Sequence, residues 1–164
     1  MRISSLKKKT NAGHTAMIDL GVSLDGIEDI GPKVRAGVER FMLDGAQAGQ
    51  NRAMEEVPED RGNLRQSMAQ FVPEVRDGDV VWGVGGQPHA LPMEYGTDPF
   101  WPPIQPLIEW ARRQGEDTGL AYYVQWKIAQ EGIDEHRYLR PGAETQSNWY
   151  SQHDISNYIE EELD

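Results

Sequence analysis

The chain has 164 residues, 38% of them apolar, and its 27 acidic residues against 16 basic ones give a net charge of −11. This length is typical of one domain with its own hydrophobic core. The lack of cysteine excludes disulfides, thiol catalysis and thiolate metal sites, and it fits intracellular synthesis. The excess of acidic residues argues against a surface that grips nucleic-acid phosphates.

The basic residues include only five lysines. An acidic surface poor in lysine is typical of a protein from a salt-loving host, where salt screens the repulsion between like charges. An ordinary acidic mesophilic protein is the alternative. No run of about 18 apolar residues is present, so the sequence predicts no membrane span. Residues 1–11 also lack the apolar stretch of a signal peptide.

The first third of the chain is predicted to contain an arm, a strand and a long helix. Residues 1–13 are interpreted as a flexible, solvated arm, and residues 14–164 as one domain. The alternation of apolar and polar residues over 18–24 predicts a half-buried strand. A helix is expected to begin at Gly31-Pro32, since proline suits a first helical turn, and to end before Pro58.

A β-hairpin is predicted over residues 65–84. Residues 65–75 are expected to form its first strand, with Pro73 indicating an edge position or a bulge. Asp77-Gly78-Asp79 is a strong signal for a hairpin turn, and the valine-rich residues 80–84 predict the second strand.

The second half of the chain is predicted to be helical. One helical turn is expected within residues 88–95, followed by a loop of proline and aromatic residues at 98–103. Apolar spacing predicts helices that begin near Ile104 and Leu120, the second with Tyr123 on its buried side, and a short C-terminal helix. The predicted fold class is therefore α+β, with a long N-terminal helix packed on a small antiparallel hairpin sheet and followed by C-terminal helices.

The sequence predicts no catalytic, cofactor or metal site. The glycines within residues 83–86 follow a strand but lack the spacing of a nucleotide-binding loop. None of the histidines has the helical i, i+4 spacing of a zinc site, and the adjacent side chains of residues 134–136 point in different directions. A small hydrolase with a site around Glu94 and His89 is kept as the rival class.

Glu94 has two interpretations. It stands directly before Tyr95, Gly96 and Thr97. Its carboxylate either accepts backbone N–H groups at this turn or pairs with an arginine of a neighbouring subunit. The sequence leaves both open.

Several short segments occur in a fixed order along the chain, and each is weak alone. The first follows the long helix and contains Val57, Pro58, Arg61, Gly62, Leu64, Arg65 and Ser67. The second is the segment 91–97, which ends in Glu-Tyr-Gly-Thr. The remaining ones are the loop with Phe100 and Trp101, the Trp-containing segment 107–111, and the segments 128–132 and 138–143.

In this order the segments resemble the head–tail joining and tail-completion proteins from the neck of siphovirus-type tailed viruses, over about residues 16–163. Three substitutions and one added residue depart from the family pattern. Arg61 stands where threonine is usual, His89 where an aromatic residue is usual, and Tyr138 where phenylalanine is usual. Gly142 is an added glycine. Together with the acidic composition, the resemblance points to a haloarchaeal virus as the source.

The resemblance implies a structural virion protein of the neck, synthesised in the host cytoplasm, that is not an enzyme and needs no cofactor. It implies a homo-oligomeric ring, a hexamer, which terminates the tail. The ring would contact the head connector or stopper protein and the major tail tube protein. Genomic DNA would pass through its lumen without specific binding, and no membrane would be involved. A minor capsid or decoration protein is the alternative.

Contact surfaces of such a ring are expected at the tip of the hairpin and in the loop over residues 97–103. Rigid aromatic side chains lose little conformational entropy on binding, which suits interface anchors. Capping of the core by Phe100 and Trp101 is the alternative. The candidate contact residues are Arg61, Arg65, Asp77, Asp79, Glu94, Tyr95, Thr97, Phe100 and Trp101.

Overall fold

The computed structural model describes residues 4–8, 16–21, 31–58, 62–84 and 90–164. Its strands and helices in chain order are β1 (Ser4–Lys8), β2 (Ala16–Gly21), α1 (Pro32–Glu56), α2 (Asn63–Gln70), β3 (Glu74–Arg76), β4 (Asp79–Val84), α3 (Ala90–Tyr95), α4 (Ile104–Arg113), α5 (Thr118–Glu131), α6 (Leu139–Gln152) and α7 (Ile155–Leu163). The predicted α+β class, with its long N-terminal helix, antiparallel sheet and C-terminal helices, is confirmed.

The chain forms two compact units. The first comprises Met1–Pro88 together with Tyr138–Asp164, and the second comprises His89–Arg137. The first therefore holds the sheet with α1, α2, α6 and α7, and the second holds α3, α4 and α5. The assignment of residues 14–164 to one domain stays a prediction.

The four strands of the first unit form one antiparallel sheet in the order β1-β2-β4-β3. The predicted hairpin turn is confirmed, because Asp77 and Gly78, with φ angles of 54° and 82°, have the left-handed backbone of a tight two-residue turn. β2 confirms the predicted strand as far as Gly21, and residues 22–24 lie outside the described part of the chain. β1 pairs with β2 over residues 4–8, and the interpretation of residues 1–13 as a flexible, solvated arm stays a prediction.

The strand predicted over residues 65–75 is wrong for most of its length. Residues Asn63–Gln70 form the helix α2, and only Glu74–Arg76 are extended and paired with β4. Leu64 and Met68 are both buried, and their i, i+4 spacing places them on one helical face. A strand would also place Gln66 on that buried face, and Gln66 is exposed, so the pattern suits a helix.

A helix that the sequence analysis missed, α6, packs against α1 at very short range. A Cβ atom added to Gly49 would lie 2.8 Å from the carbonyl oxygen of Gly142, and one added to Gly142 would lie 2.5 Å from that of Gly49. The two backbones therefore approach closely only because both residues lack side chains. A Pro-Gly pair such as Pro141-Gly142 normally indicates a turn, which explains why α6 was missed. Proline is nevertheless tolerated in the first turn of a helix.

A chain of three buried hydrogen bonds links the sheet to both helices. Trp82 Nε1 on β4 donates to Gln146 Oε1 at 2.6 Å, and Gln146 Nε2 donates to the Tyr150 hydroxyl at 2.8 Å. That hydroxyl donates to the carbonyl oxygen of Met42 on α1 at 2.7 Å. Burial raises the pKa of Tyr150 to about 12, since the phenolate would lose its hydration. Satisfied polar groups thus fix the orientation of α6 on the sheet.

The C-terminal helix α7 lies along α1, where the Tyr158 ring packs 5.4 Å from that of Phe41, and polar contacts add to this packing. Arg40 Nη2 lies 2.8 Å from Glu161 Oε2, the Tyr158 hydroxyl donates to Asp44 at 3.0 Å, and Lys33 Nζ donates to the carbonyl oxygen of Leu163 at 3.0 Å. In the described ranges, no helix is long and apolar enough to cross a membrane.

Candidate interaction surface

Two hydrogen bonds between Thr97 and Ile133, here called the clasp, join the two ends of the second unit. The Thr97 N–H donates to the carbonyl oxygen of Ile133 at 2.9 Å, and the Ile133 N–H donates to Thr97 Oγ1 at 3.1 Å. Gly96 and Gly132 flank this bridge with φ angles of 69° and 82°. A Cβ atom added to Gly132 would lie 2.0 Å from the carbonyl oxygen of Thr97, so only glycine fits there.

The clasp gives the Gly96-Thr97 pair a structural role. The hydroxyl of Thr97, a predicted contact residue, accepts a hydrogen bond from within its own unit. The His136 N–H extends the clasp by donating to the carbonyl oxygen of Met93 at 2.7 Å. The first and last segments of the unit are therefore fixed to each other.

The aromatic loop over residues 98–103 is held against α5. The Phe100 N–H donates to the carbonyl oxygen of Ile128 at 3.4 Å, and Gln125 Nε2 donates to that of Pro102 at 2.8 Å. Pro102 is buried, whereas Phe100 and Trp101 are 41% and 67% exposed. The loop is thus anchored through its backbone while both aromatic rings remain accessible.

Helix α5 is apolar on both sides. Ala121 is buried and Val124 and Ile128 are half-buried on the inner side. The outward side carries Tyr122, Tyr123 and Trp126, each more than half exposed. The rings of Tyr123 and Trp126 lie 6.5 Å apart between centroids, as expected for i, i+3 neighbours. The predicted placement of Tyr123 on the buried side is wrong.

We define the aromatic surface as Phe100, Trp101, Tyr122, Tyr123 and Trp126. The outward side of α5 also carries Lys127, which is exposed and lies four positions after Tyr123. Its ammonium nitrogen lies 3.7 Å from the carboxylate of Glu131, which is exposed as well.

A polar cleft of about 410 Å³ lies beside the clasp. The exposed residue Tyr95 lines one side with Gly96, Thr97 and Asp98, and residues 133–135 line the other. Asp98, Asp134 and Glu135 make this cleft acidic. Within the described ranges, no group of three or more acidic, histidine or cysteine side chains has the arrangement of a metal site.

Glu94 is fully buried. Of its two interpretations, burial favours a carboxylate that is satisfied within the chain, because a charge that awaits another subunit would be left at the surface. His89, the other residue of the rival hydrolase site, lies outside the described residues.

The remaining predicted contact residues belong to the first unit. Arg65 is exposed on α2, Asp77 is exposed at the hairpin turn, and Asp79 is half-buried at the start of β4. Arg61 lies outside the described residues. Of the predicted set, the structure places Tyr95, Thr97, Phe100 and Trp101 on one continuous segment of the second unit.

Sequence analysis missed the aromatic side chains of α5 as contact candidates. The signal was present, because residues 120–128 contain more apolar positions than one helical face can hold.

A scan against protein-family models, a search of the curated proteins and a search of the solved structures each found no match to this chain.

Proposed function

We propose that this protein is a structural component of the neck of a tailed virus, where copies of it form a ring that joins the tail tube to the head connector. The observation that carries the proposal is the aromatic surface of the second unit. Its rings are exposed, yet the backbone beneath them is fixed by the loop–α5 hydrogen bonds. Rigid exposed aromatic residues are typical anchors of protein–protein interfaces.

The order of the elements adds support. The resemblance implies a long helix, then a hairpin, then an aromatic–proline loop and a tryptophan-containing helix. Helix α1, the β3–β4 hairpin, the loop at 98–103 and helix α4, which contains Trp110, follow one another in that order. An order of elements is a weaker argument than a site, because one fold serves many functions.

The charge of the chain is compatible with a channel through which DNA moves. A net charge of −11 repels phosphates, so DNA would pass through a ring of such subunits without adhering to it. The ring would close through head-to-tail contacts, in which each subunit presents one surface and accepts another. We propose a hexamer with the tail tube protein and the connector as its neighbours.

Cryo-EM of purified virus particles tests the proposal. The chain would carry a small tag at its C-terminus, and the neck would be averaged with and without a tag-directed label. Label density in a ring at the head–tail junction supports the proposal and reports its symmetry. Density on the capsid shell indicates a decoration protein, and absence from the particle returns the hydrolase with Glu94 and His89 as the rival.

A further inference from the structure

We propose that the C-terminal helix α7 is a strap, which opens and closes over a groove on α1 while the rest of the first unit stays folded. This motion takes place within the first unit and goes beyond the proposed function, on which it does not depend. The observations that point to it are the attachment of α7 to α1, the groove beneath it and the hinge before it.

Helices α6 and α7 both pack on α1, but they are attached in different ways. Helix α6 buries five of its residues, and Tyr150 among them belongs to the chain of buried hydrogen bonds. Helix α7 has no buried residue, and its best-covered apolar residues are only half-buried, namely Ile155, Tyr158 and Ile159. Because a short helix owes most of its stability to tertiary packing, α7 is expected to open before α6 does.

The polar contacts that hold α7 lie where water reaches them. Arg40 on α1 lies 2.8 Å from Glu161 and 3.5 Å from Glu162, and its guanidinium carbon lies 5.4 Å from the centre of the Tyr158 ring. The side chains of Arg40 and Glu161 are 49% and 60% exposed. Water competes for both charges of such an ion pair, so these contacts orient α7 on α1 without preventing its release.

The groove beneath α7 fits the backbone of a helix. A Cβ atom added to Gly37 would lie 2.7 Å from the carbonyl oxygen of Tyr158 and 2.8 Å from the Cα atom of Ile159, so α7 rests directly on this glycine. Phe41, one helical turn further along α1, is buried, and its ring lies 5.4 Å from that of Tyr158. Opening of α7 therefore uncovers an apolar part of α1 that the closed chain hides.

A break between α6 and α7 provides the hinge. The two helices are separated by His153 and Asp154, which both have extended backbone. The His153 ring is stacked on that of Trp149, with 4.0 Å between the ring centroids, and this contact fixes the α6 side of the break. Asp154 accepts the Ser156 N–H at 3.0 Å and so caps α7 from within the same segment. Bending at Asp154 frees α7 without disturbing α6.

Hydrogen exchange of the full chain tests the opening. We expect the amides of α7 to exchange at least about 100-fold faster than those of β4, because a released helix of nine residues is too short to keep its hydrogen bonds. The R40Q variant should speed exchange about threefold, and equally along α7. The matched control is R52Q, because Arg52 makes the same kind of double ion pair with Glu55 and Glu56 within α1.

The absence of cysteine permits a second measurement, in which a single thiol is introduced and labelled with maleimide. I159C places the thiol on the half-buried side of α7, and V80C places it on the buried strand β4. Labelling of I159C should change little in urea below the unfolding midpoint, whereas that of V80C should follow global unfolding. Adding G37A should speed the labelling of I159C at least about tenfold, because its methyl group displaces α7, whereas G31A meets nothing within 4 Å and should not.

The proposal is overturned if α7 and β4 exchange at the same rate, because α7 then opens only when the whole unit unfolds. A gradient of exchange along α7 would show fraying from one end, and equal effects of R40Q and R52Q would show that Arg40 does not hold α7. Either result overturns the proposal, as does labelling of I159C that follows that of V80C in urea. The proposed function is tested by the place of the chain in the particle, so it stands or fails separately.

Discussion

The two units place their aromatic residues in opposite ways. In the first unit they point inward: Trp82 and Tyr138 are fully buried, and the ring of Phe41 lies 5.2 Å from those of Trp149 and Tyr150. In the described second unit the buried apolar residues are small, namely Ala90, Pro102, Ala111 and Ala121. Its aromatic side chains are exposed, except for Trp110, which is half-buried.

The difference shows where each unit obtains its stability. The long helix α1 gives the first unit a scaffold on which aromatic side chains can be buried, and burial of each contributes several kcal/mol. The second unit is held by backbone hydrogen bonds and small side chains, so its exposed aromatic area is available to a partner. The first unit is therefore stabilised by its own core, whereas the second unit is expected to gain more stability when a partner covers its aromatic side chains.

The largest expected effect breaks the first unit. Substituting Gly142 by valine forces side-chain atoms into the Gly49 backbone and the Trp82 ring, which lie 2.5 and 2.6 Å from the added Cβ atom. We expect a loss of about 3 kcal/mol or more in the free energy of unfolding, measured by urea denaturation. The control is Gly31→Ala, because nothing lies within 4 Å of its Cβ position. Equal stabilities would contradict the close α1–α6 contact.

Alkaline pH should weaken the same unit through Tyr150. Its pKa is about 12 in the fold and 10.0 ordinarily, so above pH 10 the unfolded chain releases a proton that the folded chain keeps. The stabilisation is complete below pH 10 and is lost as the pH rises towards 12, amounting to about 2 kcal/mol. Unfolding free energies of the parent and of Y150F, compared across this range, isolate the effect. Parallel pH profiles would rule it out.

Removing the amide of Gln146 from the chain of buried hydrogen bonds should lower the free energy of unfolding slightly less. In Q146L the Trp82 N–H loses its acceptor and the Tyr150 hydroxyl loses a donor. We expect a loss of about 2 kcal/mol, since a buried donor is left unsatisfied. Q47L serves as the control, because Gln47 bonds to Asn51 on the exposed side of α1. A Q146L chain as stable as Q47L would show that the network contributes nothing.

The smallest expected effect is a local loss of stability in the second unit alone. In T97V the Ile133 N–H loses the hydroxyl that accepts it, whereas T97S keeps this bond. We expect about 1 kcal/mol of lost protection at the Ile133 amide in hydrogen exchange. Amides of β4 should exchange as in the parent. Loss of protection in both units would show that the clasp supports more than its own unit.

Much of the architecture was predictable because it is encoded locally. Gly31-Pro32 and Pro58 delimit α1, Asp77-Gly78 specifies the hairpin turn, and the apolar spacing after Ile104 and Leu120 marks α4 and α5. Each signal acts through the backbone preferences of a few neighbouring residues. Such preferences operate before any distant contact forms.

The candidate site was predictable only in part. Sequence alone singled out Phe100 and Trp101 as contact candidates, and the structure shows that both are exposed. It placed Tyr123 inside, because periodicity reports that a face is apolar but not whether another element covers it. The pairing of Gly96-Thr97 with Gly132-Ile133 was hidden for a related reason, since it joins residues 36 positions apart.

Local patterns in the sequence thus specify most of the helices and strands, and the elements that they left undetected are α2, α6 and β1. The tertiary structure instead places Pro141-Gly142 in the first turn of α6, which begins at Leu139, because Gly49 across the α1–α6 contact leaves room for Gly142. It also decided that Glu94 is buried and that α5 keeps three aromatic rings uncovered. These outcomes depend on which surfaces meet, and no local pattern contains that information.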